Sequence, residues 1–266
     1  MAGPASRVYI CVMEKPRVPT SPRRQAAIVL LGSIAVTLAM FLIPSPEHTW
    51  WLLAPFRWLH IYVHEFGHGL AALIAGGVFD RFEMYTYSGV AYTATRGNLA
   101  AAFVCAGGLC GPAVVGGVFL AMGRSVRWAR LALLGFGAFM ALSLVLWTRT
   151  PFGLGFGAAV AALTLLVALK ARPGLAQTVL VFLGVQLALS VYTGGGYLFT
   201  QYVQIQNGHR GPSDTQAMAD AIGGPYWFWG VVCAAFSAAV LLAGLWMYIR
   251  PERRTRRASL APVIAP

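Results

Sequence analysis

The residues of this chain best equipped for chemistry are His64, Glu65 and His68, in the pattern His-Glu-x-x-His. Two imidazoles four residues apart share one face of a helix, about 6 Å apart along its axis. That is the spacing of two zinc ligands, and a carboxylate beside the first of them suits a general base toward a metal-activated water. The motif lies inside the apolar stretch from Trp58 to Ile74, which reads as a membrane helix. Ionisable residues at membrane depth are expensive, and they mark a functional site by default. The bland alternative is a pair of structural histidines hydrogen-bonded to neighbouring helices. Gly67, Gly69, Ala71 and Ala72 surround the motif and would let another helix approach closely.

Catalytic zinc takes a third protein ligand and leaves one position for water. His60 is also four residues from His64, but a metal between His64 and His68 would lie about 9 Å along the axis from it. Zinc–nitrogen bonds of about 2 Å cannot span that gap, so His60 is expected one turn away, as a supporting or interfacial residue. Candidates elsewhere are Asp80, Glu83, Asp214, Asp220 and His209. Asp214 follows Ser213 at what reads as a helix start, so it could equally serve as a cap. Asp220 reads as a solvated face of the same short helix, and His209 as an exposed loop residue.

The elements that must position these groups follow from composition. Of 266 residues, 58% are hydrophobic and 11% charged, against about 25% charged in a soluble domain. The chain repeats apolar runs near the ~20-residue membrane-spanning length. About seven are recognisable, at 25–43, 51–75, 98–122, 127–148, 153–170, 175–199 and 226–249. The expected fold is an all-α polytopic membrane protein with about 6–7 transmembrane helices, multi-pass in the cell membrane. A short β-hairpin at the membrane surface is expected over 78–95, after the second helix. Phe82 to Thr93 is rich in aromatic and β-branched residues, and Ser88-Gly89 supplies the turn.

Residues 25–249 read as a single domain, with an acidic pre-helix segment at 201–224. A basic tail covers 1–24, and a basic, disordered tail covers 250–266. The run 25–43 exceeds a signal-peptide core and lacks a cleavage pattern, so it reads as a retained helix. The formal charge of +12 sits mostly in tails and short loops. Topology and anionic lipid headgroups account for it, and it does not call for nucleic acid. Both tails are basic, which places them on one side, whereas seven spans would place them on opposite sides. The four cysteines form no C-x-x-C pair.

Tyr62 to Gly77 resembles the active-site helix of site-2-protease-type intramembrane zinc metallopeptidases, closest to their bacterial B-like branch. Ser88 to Thr93 is similar to that branch's hairpin, Cys105 to Pro112 to its small-residue third helix, and Ser213 to Ala219 to its late acidic motif. The resemblance runs in order over residues 55–245. It implies zinc held by His64, His68 and Asp214, Glu65 as general base, and hydrolysis of peptide bonds in membrane-embedded or membrane-proximal proteins. Two features depart from the family pattern. No Leu-Asp-Gly motif is present, and Gly111-Pro112-Ala-Val-Val lacks the usual Asn, so no side-chain oxyanion donor is expected there.

The rival readings are a metal or proton transporter using the same three residues, and a pseudoprotease scaffold. A transporter would place further polar residues along several helices, and the other apolar runs here are nearly clean.

Overall fold

The computed structural model describes residues 22–42, 46–193, 197–204 and 210–250. The basic tails fall almost wholly outside them, as does His209. Eight helices are present among these residues: α1 (Pro22–Leu42), α2 (Pro46–Ile74), α3 (Asn98–Met122), α4 (Val126–Leu146), α5 (Pro151–Lys170), α6 (Pro173–Thr193), α7 (Asp214–Ile222) and α8 (Tyr226–Ile249). The apolar runs became helices because backbone groups in lipid must find partners within their own segment. Their starts carry ordinary signals. Ser125 and Thr150 cap α4 and α5 by accepting from Trp128 N–H and Gly153 N–H, and Pro151 occupies the first turn of α5.

Five helices among the described residues are long and apolar enough to cross a membrane, fewer than the six or seven expected. α2 is not among the five, since it carries Arg57, His60, His64, Glu65 and His68. The run expected over 175–199 is one of the five. Within it α6 spans Pro173–Thr193 and Tyr197–Phe199 forms a 3-10 turn.

The expected hairpin is β1 (Val78–Met84) and β2 (Gly89–Ala94), paired antiparallel with Phe82 opposite Ala91. Tyr85 N–H donates to Ser88 O across the turn. The outer edge of β1 is not free. Phe82 N–H donates to Trp147 O, and Arg149 N–H donates to Phe82 O. Thr150 Oγ1 donates to Met84 O and accepts from Met84 N–H. The junction between α4 and α5 therefore grips the hairpin. An aromatic cluster completes the attachment: Phe66 of α2 meets Phe79, Phe82 and Trp147 edge-on. A second, unexpected strand pair, β3 (Tyr202–Gln204) with β4 (Arg210–Pro212), lies within the segment read as merely polar.

α3 is the central helix and packs against α2, α6, α7 and α8. Its contact with α2 is backbone against backbone. A Cβ built on Gly67 would strike Gly107 O, and one built on Gly107 would come within 2.6 Å of Gly67 O. Small residues allow this approach, as the sequence around the motif anticipates. Gly67→Val should destabilise the protein by about 1–3 kcal/mol through overpacking. Thermal unfolding in detergent measures it; an unchanged midpoint would mean the two helices separate freely.

Candidate metal centre

α2 aims His64 and His68 at one point, with their Nε2 atoms 3.2 Å apart. Asp214, the first residue of α7, meets them there. Its Oδ2 lies 3.1 Å from His64 Nε2 and 3.4 Å from His68 Nε2. Among the described residues this is the one His/Cys/Asp/Glu group compact enough to hold a metal ion. A tetrahedral ion with bonds of about 2 Å separates its ligand atoms by about 3.3 Å. The three distances match that edge length.

The tautomers point the same way. His68 Nδ1 lies 2.9 Å from Val104 O, and a carbonyl only accepts, so Nδ1 carries the proton and Nε2 offers a lone pair to the site. The His68 lone pair and a carboxylate oxygen 3.4 Å away repel one another unless a cation, proton or metal, sits between them. Burial raises the Asp214 carboxyl, but the two imidazoles, when protonated, outweigh burial and hold it well below the usual carboxylate range.

Several elements set this geometry. Ser213 N–H donates to Gln201 O, which fixes the start of α7 beside the second strand pair. Ser213, not Asp214, is the cap, since its Oγ accepts from Gln216 N–H. Asp214 is thus free to point at the histidines, and its charge suits the positive end of the helix. α3 forms the floor. A Cβ at Gly108 would collide with the His68 imidazole.

Glu65 faces the hairpin. Its Oε2 accepts from Ala91 N–H at 2.9 Å, while Gly89 gives it room, since a Cβ there would come within 2.8 Å of Glu65 Cγ. The amides of β2 alternate, so Ala91 N–H points away from β1 and toward α2.

The other candidates lie elsewhere. His60 Nδ1 is 2.8 Å from Ser190 Oγ of α6, and its ring centroid is 5.8 Å from that of His64. Asp80 and Glu83 are both engaged by Arg81, at 2.8 and 3.0 Å. The Arg81 guanidinium holds the Glu83 carboxyl below its ordinary value. Asp220 is exposed and accepts from Gln216 Nε2.

Three neighbours of the site escaped the sequence reading. Val104 O and Ala91 N–H are backbone groups, which leave no mark in residue types. Tyr197, whose hydroxyl donates to Asp214 Oδ2 at 3.2 Å, looked like the end of an apolar run.

No curated protein matches the chain, and no solved structure matches it. The family model described as Peptidase M50B-like matches residues 31–244, a span that takes in all three converging side chains and both strand pairs. A match over most of the chain, in agreement with the resemblance to site-2-protease-type metallopeptidases, places this chain in the Peptidase M50B-like family.

Proposed function

We propose that this protein is an intramembrane zinc metalloprotease, multi-pass in the cell membrane, that hydrolyses peptide bonds of membrane-embedded or membrane-proximal proteins. The observation that carries the reading is the convergence of His64 Nε2, His68 Nε2 and Asp214 Oδ2 at 3.1–3.4 Å. The donor set fits zinc, being two imidazoles and one carboxylate, with one side left for water. Bound there, zinc would supply a water of lowered pKa and polarise the scissile carbonyl.

The chain's own residues do the rest. His68, oriented by Val104 O, and His64 would hold the ion together with Asp214. Glu65 Oε2 is engaged by Ala91 N–H, which leaves Oε1 to take the water proton. Glu65 then returns that proton to the amide nitrogen as the C–N bond breaks.

Two experiments test this reading against its rivals. The purified protein in detergent should contain one zinc per chain by elemental analysis, and His64→Ala with His68→Ala should abolish it. Zinc unchanged in the double variant would rule the site out. Cells expressing the wild type should accumulate membrane-protein fragments absent with the double variant. Identical fragments favour a scaffold, and metal flux into vesicles lost in the variant favours a transporter.

A further inference from the structure

The 3-10 turn Tyr197–Phe199 stands between α6 and α7, outside the motif helix. The Tyr197 hydroxyl is the side-chain donor that the structure places on the metal-facing oxygen. Tyr197 Oη donates to Asp214 Oδ2 at 3.2 Å, the same atom that lies 3.1 and 3.4 Å from the two histidines. The Tyr197 ring also stands edge-on to His64, with centroids 5.6 Å apart and planes at 84°. One side chain thus touches two of the three converging groups.

Its own position is constrained from behind. Leu198 is buried, and a Cβ on Gly230 of α8 would strike Leu198 O. The turn is therefore pressed against α8 backbone to backbone. Trp229 Nε1 donates to Gly223 O at the end of α7, so α7 and the turn share α8 as a common support.

Asp214 needs such help. It sits at the first position of a helix of nine residues, and it swings about its own side-chain bonds unless a partner fixes it. Ser213 is spent on capping, and Asp220 is turned to Gln216. A hydrogen bond from a neutral phenol leaves the carboxylate its negative charge while choosing its rotamer. Outer partners of this kind orient a ligand and are worth about 10–100-fold in metal affinity.

We propose that Tyr197 is a positioning residue of the metal centre, which holds Asp214 as the third ligand of the zinc site by hydrogen bond and packs its ring against His64. The inference rests on the proposed zinc site and extends it to a residue outside the motif.

Tyr197→Phe is the test, since it removes one oxygen and keeps the ring. Zinc affinity is measured by competition with a chromophoric chelator, and the cobalt-substituted protein gives a visible spectrum that reports the ligand set. Affinity should fall about 10–100-fold, the cobalt bands should shift, and cleavage should return when zinc is added to saturation. Gly230→Ala, which pushes on Leu198 O without touching the phenol, should lower affinity in the same direction. Unchanged affinity and spectrum in Tyr197→Phe would overturn the proposal. So would intact affinity with cleavage lost at saturating zinc, because the hydroxyl would then act on substrate. Wild-type protein that binds no zinc defeats the underlying site instead, so the two failures are distinguishable.

Discussion

Glu65→Gln should keep its zinc and lose cleavage by about 100- to 10,000-fold, the range for removing a general base. Gln matches Glu in size and polarity. Its carbonyl oxygen can still accept from Ala91 N–H, as Glu65 Oε2 does now. That choice turns the NH2 group to the place of Oε1, where a lone pair is required. The variant therefore separates proton transfer from metal binding. Membrane-protein fragments from cells expressing each form provide the measurement, with zinc content as control. Equal fragment yields would remove Glu65 from the reaction, and loss of zinc would make it structural.

Asp214→Ala should have the largest effect on the metal. Losing an outer partner already weakens affinity by about 10–100-fold, and a direct ligand should exceed that. Removal would also leave the two imidazole Nε2 atoms 3.2 Å apart without the carboxylate opposite them. Asp220→Ala and Asp80→Ala serve as comparisons, because their carboxylates are occupied on the surface. Affinity retained in Asp214→Ala but lost in another variant would show that the wrong carboxylate was chosen.

What could be read in advance divides by range. The shared face of His64 and His68 depends on four residues of helix, so spacing alone reveals it. The β1–β2 hairpin was legible too, because its turn and its alternation are local. The helix α8 begins and ends where its apolar run does. Asp214 was different. Several carboxylates remained open, and only the family resemblance singled one out. The fold decides the matter of its cap by giving Ser213 that task. Tyr197 was hidden because an aromatic residue at the end of an apolar run looks the same whether it faces lipid or a ligand. The partners of Glu65 and His68 are main-chain atoms, and these follow from strand register and helix packing rather than from residue identity.

The order of the three converging residues along the chain has a meaning in time. His64 and His68 emerge early, on the second helix, whereas Asp214 follows about 150 residues later, on the seventh. Bringing them together closes a long loop, and its entropic cost is met only once α7 and α8 dock on α3. A chain that stops before α7 therefore carries the histidine pair without Asp214. On the proposed reading, such a truncated chain would hold no zinc and cut nothing.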